Sequence, residues 1–156
     1  MRFMMIVKAT ADSEAGVLPS AELLQEMGRY NDELVKAGVL LAGEGLHPSA
    51  KGVRLVFEGG KRTLVDGPFA ETKELVAGFW LIQVRSREEA IEWLKRVPNP
   101  MPDAEGVIEL RQVFSPEDFG PELQAAAPDV FEGERKFREA EEARAAAAAR
   151  TATNKA

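Results

Sequence analysis

The ten residues Val65-Asp66-Gly67-Pro68-Phe69-Ala70-Glu71-Thr72-Lys73-Glu74 do most to limit what this chain can become. The stretch is polar and turn-forming, with an apolar strand pattern on each side. Asp66 closes the upstream strand. Gly67 and Pro68 then force a bend, because proline fixes its own φ and restrains the preceding residue to extended backbone. Upstream, Val53-Arg54-Leu55-Val56-Phe57-Glu58 and Lys61-Arg62-Thr63-Leu64-Val65-Asp66 flank Gly59-Gly60, a two-residue hairpin signal. That turn sets the register, with Glu58 opposite Lys61, Leu55 opposite Leu64 and Val53 opposite Asp66. One face then carries Val53, Leu55, Phe57 and Leu64, with Asp66 at its foot and Arg62 near the tip. The other carries Arg54, Val56, Glu58, Lys61, Thr63 and Val65. A slip of one residue would exchange the two faces.

The remaining segments read around this hairpin. Residues 2–8 alternate Phe3, Met5 and Val7 against Arg2, Met4, Ile6 and Lys8; both sets are largely apolar, as in a central strand. A loop with Asp12, Ser13 and Gly16 leads to Pro19 and the N-cap candidate Ser20. Leu23, Met27, Tyr30 and Leu34 follow at helical spacing, one buried stripe, and Gly38 suits a left-handed C-cap. Val39–Ala42 form a strand that Gly43, Gly45 and Pro48 are expected to break. Val76–Val84 is a further strand. Ser86-Arg87-Glu88-Glu89 is a capping box that opens a helix with Ala90, Ile91, Leu94 and Val97 inward, and Pro98 stops it. Val107–Phe114 is the last strand, with Ile108, Leu110 and Phe114 on one face and Glu109 and Arg111 on the other. The order is β-α-β, hairpin, β-α-β: an α+β, ferredoxin-like arrangement with an added β-hairpin.

A chain of 156 residues holds one domain with a real core. We place the domain at 1–115 and a linker and tail at 116–156. Gly120, Pro121 and Pro128 punctuate the linker, and Phe131–Arg150 is a Glu-, Arg- and Ala-rich helix with few apolar anchors. It reads as a frayed terminus or as an arm on a second subunit, and Thr151–Ala156 as disordered. The chain has no cysteine and one histidine, which disfavours a transition-metal site. A net charge of −6 argues against nucleic acid as a partner. No apolar run approaches a membrane span, and the Met1–Val7 segment is too short for a signal core, so a cytoplasmic protein is expected.

The run Asp-Gly-Pro-Phe-x-Glu-x-Lys-Glu at 66–74 resembles the YCII-related family, in its DGPF branch. Gly78–Val84, Gly43-Glu44-Gly45-Leu46 with Pro48, and Glu109–Val113 extend the resemblance over most of residues 1–115. It implies a ferredoxin-like, dimeric α+β barrel or sandwich that pairs through its sheet, and hence a homodimer. Two helices cover only one sheet face, so the other needs a partner. The resemblance also implies an association with alternative sigma factors.

Asp66 is the sharpest candidate for chemistry. A carboxylate at the foot of an apolar face is partly desolvated, which raises its pKa and suits it to general acid–base work. The alternative is an Asx turn that merely holds the bend. His47, in Gly43-Glu44-Gly45-Leu46-His47-Pro48, would make an acid–base dyad if its loop reached Asp66; the commoner reading of such a residue is a solvated loop histidine. Some relatives use a His-Asp pair whose histidine lies near the first helix, where this chain has none. By the resemblance, Lys73 would bind an anionic substrate and Glu71 orient it, or both would form ion pairs pinning the loop. Glu109 and Arg111 would line a cleft between subunits or pair with each other. Trp80, Phe79 and Phe69 read as core or interface. Three readings remain open: cofactor-free proton transfer on a small polar or aromatic molecule in a dimer-interface cleft, a non-catalytic regulatory or binding module, or a structural homodimer whose motif only makes the fold.

Overall fold

The structure, a computed structural model, describes residues 1–154 apart from the side chain of Lys73. Strands β1 (Arg2–Lys8), β2 (Leu40–Gly45), β5 (Val76–Gln83) and β6 (Ile108–Gln112) form an antiparallel sheet in the order β2-β5-β1-β6. β1 is therefore central, as its two apolar faces require. Strands β3 (Val53–Glu58) and β4 (Lys61–Asp66) form a separate hairpin inserted between β2 and β5. The four-strand order with its two crossover helices is ferredoxin-like, and the chain is α+β.

Phe3, Met5 and Val7 of β1 face the helices α2 (Ala21–Lys36) and α3 (Arg87–Lys95), and with Tyr30, Leu34, Ile82 and Ala90 they make the core. α2 starts where Ser20 accepts the Leu23 N–H at 3.2 Å. It ends in a Schellman motif: Gly38 has φ +70°, its N–H bonds Val35 O, and the Val39 N–H bonds Leu34 O. At α3, Ser86 accepts the Glu89 N–H at 3.2 Å, as a capping box requires. The Glu89 carboxylate instead reaches back to the N–H and guanidinium of Arg85, which hold it below the usual carboxylate range.

Two expectations about glycine fail in an instructive way. β2 does not stop at Ala42, and Gly43 and Gly45 pair with Trp80 and Gly78. A Cβ on Gly43 would lie 2.9 Å from the Trp80 ring, and one on Gly78 would lie 2.8 Å from Glu44 O. These glycines admit close approach inside a sheet; they do not end it.

The loop after β1 contains a short helix α1 (Ala11–Glu14), closed by reciprocal Thr10–Ser13 bonds. The hairpin register is the one set by Gly59-Gly60, with Val53 opposite Asp66 and Leu55 opposite Leu64. Its apolar face is not buried, however: Phe57 is 67% and Leu64 69% exposed, and Val53 and Leu55 are exposed as well.

The tail departs most from expectation. After a 3₁₀ turn at Pro116–Phe119, α4 (Gly120–Ala126) and α5 (Pro128–Thr153) continue the chain, so Thr151–Thr153 are helical. Lys155 and Ala156 lie outside the described residues. α5 docks on its own domain through Phe131, Glu134, Arg138, Glu141, Ala145, Ala149 and Ala152, a stripe spaced by three and four. Arg138 bonds Phe114 O just after β6, Glu141 pairs with Arg2 of β1, and Ala149 meets Gly38 before β2. From Arg138 to Ala149 the helix rises about 16 Å, close to the roughly 14 Å across four strands. α5 thus crosses the end of the sheet at which β1 begins.

Candidate functional site

A cleft of about 880 Å³ opens between the N-terminal half of α2, the loop around α1, the end of β2 and the loop at 100–104. Its walls include Leu18, Leu24, Met27, Leu46 and Trp80. Leu18 is 85% exposed and Leu24 and Leu46 are also exposed, so the lips present apolar groups with little cover from their own chain. The inner wall is rigid. Trp80 is edge-on to Tyr30, with centroids 5.7 Å apart, and its Nε1–H donates to Asn31 Oδ1 at 2.8 Å. Tyr30 donates in turn to Trp93 O at 3.0 Å. Burial pushes the Tyr30 hydroxyl far above the ordinary phenol range.

His47 lines this cleft beside Lys51, whose Nζ is 3.5 Å from His47 Nδ1. Lys51 ends a 3₁₀ turn, Ser49–Lys51, that ties three distant segments together. The Ser49 N–H donates to the Glu14 carboxylate, with distances of 3.1 and 3.2 Å to its two oxygens, and the Ser49 hydroxyl bonds the same group. The Phe69 N–H donates to Ser49 Oγ at 3.1 Å, and the Gly67 N–H to Gly52 O at 3.0 Å. Phe69 packs under the Arg54 guanidinium, 4.0 Å from the ring centroid. The bend is therefore a clamp. It fastens the base of the hairpin to the turn that carries Lys51, and Glu14 fastens that turn to the cleft's α1 wall.

The YCII-related domain matches residues 1–117 of this chain. The chain belongs to the YCII-related family. An uncharacterized protein of Rhizobium meliloti (strain 1021) is 33% identical over 89 residues, covering 57% of this chain and 71% of that protein. The family match ends within the Pro116–Phe119 turn, so α4 and α5 lie beyond it.

In this YCII-related protein the residues singled out in the sequence are dispersed. Asp66 ends β4, is exposed, and does not line the cleft, whereas His47 does. The apolar cover expected over Asp66 is thus missing in the single chain. Glu71 is exposed in left-handed backbone, φ +61° and ψ +59°, conformations that cost a non-glycine residue. The side chain of Lys73 lies outside the described residues. Glu109 and Arg111 are exposed neighbours on β6, 3.7 Å apart, on the sheet face away from α2 and α3. Such a pair contributes about 0–1 kcal/mol.

What the sequence reading missed is the cleft itself. Trp80 is both core and cleft wall, and Lys51, Asn31, Glu14 and Ser49 were not singled out. One local signal was present: Val17-Leu18-Pro19, an apolar run in a loop before a helix cap, has no reason to be apolar unless something covers it.

Proposed function

We propose that this YCII-related protein binds a small molecule in the cleft beside Trp80, with His47 as the group able to exchange a proton with it. The observation that carries the reading is the cleft: about 880 Å³, with Leu18, Leu24, Met27, Leu46 and Trp80 among its walls and polar groups such as Asn31, His47 and Lys51 beside them. Ligand sites typically have about 300–1,000 Å³ and that composition. No cofactor is needed for binding or for proton transfer. Binding without turnover would make the domain a regulatory ligand sensor, in keeping with the sigma-factor association that the DGPF resemblance implies. The protein would meet its ligand in the cytoplasm. Titration with phenylbutanol should shift the indole N–H resonance of Trp80 saturably and leave the Val65 and Asp66 amides in place. A response confined to the hairpin amides would refute the cleft.

A second reading keeps Asp66 as general acid–base in a cleft between two subunits, with Glu71, Lys73, Glu109 and Arg111 as substrate contacts. One observation favours it. Val53, Leu55, Val56, Phe57, Leu64 and Val65 of the hairpin are all exposed, on the order of 500 Å² of apolar surface per copy. An isolated two-stranded hairpin is marginal in water, so this one needs a cover. A second copy supplies one, and would desolvate Asp66. We expect a homodimer, with more than about 1,000 Å² buried in total. Light scattering at micromolar concentration should return twice the chain mass; a monomer mass of 17.1 kDa would remove this reading.

A further inference from the structure

The geometry points to an amphipathic anion as the occupant of the cleft: an apolar, aromatic or branched body carrying a carboxylate at one end. This inference rests on the cleft being a small-molecule site, and adds the chemical class of its ligand.

The basic pair in the cleft decides the class. Lys51 Nζ lies 3.5 Å from His47 Nδ1, and both residues line the cleft. An ammonium has hydrogens to give and no lone pair, so in this contact Nδ1 is the acceptor and the imidazole carries its hydrogen on Nε2. The groups left for a ligand are the remaining Lys51 N–H bonds and the His47 Nε2–H, all donors. Among the described residues neither side chain enters an ion pair. Glu14, fastened to the same turn, is already taken by the N–H and hydroxyl of Ser49. A carboxylate, which only accepts, fits such a place, and charge-assisted bonds of this kind are about twice as strong as neutral ones.

The apolar lining decides the body. Leu18, Leu24 and Leu46 stand exposed around the mouth and Trp80 lies within, so an apolar skeleton gains by covering them. Asp12, Glu44 and Asp103 also line the cleft and would favour a cation instead. The two predictions are opposite, and one carbon skeleton with three end groups separates them.

Phenylbutyrate, phenylbutanol and phenylbutylamine are titrated into the full chain, read by the Trp80 indole N–H, which bonds Asn31 in the cleft wall. The acid should bind about tenfold more tightly than the alcohol, and the amine most weakly. In Lys51→Gln the acid's advantage should vanish while alcohol binding stays unchanged; in Lys51→Arg the advantage should persist. Equal binding of acid and alcohol, or tightest binding of the amine, overturns the anion and leaves the small-molecule site standing. So does an acid preference that survives Lys51→Gln. Saturable binding of none of the three removes both.

Discussion

Gly67→Ala should destabilise the protein by about 3 kcal/mol, the upper end for overpacking a filled site. A Cβ there would lie 1.8 Å from Ser49 O and 2.7 Å from its carbonyl carbon. Those are backbone atoms, and no rotamer change can move them away. The Ser49–Lys51 turn would have to shift, and with it the Gly67–Gly52 and Phe69–Ser49 bonds and the grip of Glu14. For a domain of this size such a loss lowers the melting temperature by roughly 6–12 °C. Amide exchange should quicken at the hairpin base and on the cleft wall together, because one clamp serves both. Gly60→Asn is the control: Gly60 has φ +79°, nothing lies within 4 Å of a Cβ there, and asparagine tolerates that backbone. If Gly67→Ala melts like the wild type, the bend is not the clamp described.

Phe131→Ala should release the C-terminal helix. Phe131 is the buried residue of α5, packed 5.6 Å from the Phe119 ring, and removing a buried phenylalanine costs about 3–5 kcal/mol. The rest of the docking stripe is alanine and charge: Ala145, Ala149, the Arg2–Glu141 pair and the Arg138 contact with Phe114 O. Those contacts cannot replace one aromatic anchor. The loss should therefore be local, with helical signal falling and protease cutting beyond Phe119 while the 1–117 domain keeps its melting transition. Phe137→Ala, on the exposed side of the same helix, should change neither. A cooperative drop in the whole protein's melting temperature would mean that α5 is part of the domain core.

A motif can be conspicuous without being central to a site. Asp-Gly-Pro-Phe stands out because its turn chemistry is distinctive, and the structure explains that chemistry by the clamp: Gly67 for close approach, Phe69 for the seat under Arg54. Asp66 stands opposite Val53 and shares its face with Leu55, Phe57 and Leu64, as the Gly59-Gly60 turn dictates. Its burial was not a property of the register. It depended on something covering that face, and an alternating pattern records which residues share a side without recording what faces them.

Local rules thus sufficed for much of this protein. Helical spacing gave α2 its buried stripe, Ser20 and Gly38 its caps, the apolar β1 its central place, and Gly59-Gly60 the pairing of β3 with β4, because each depends on neighbours a few residues away. The strand and helix order then selected the ferredoxin-like sheet. Tertiary structure alone decided that Gly43 lies inside a strand against Trp80, that α5 docks across the sheet end, and that the segments 10–20, 43–51 and 100–104 line one cleft. Those outcomes arise between segments far apart in the chain, where close approach, a single aromatic anchor and a few polar contacts prevail over propensity. His47 and Lys51 are four residues apart, but only the meeting of those segments sets them in the lining of one cleft.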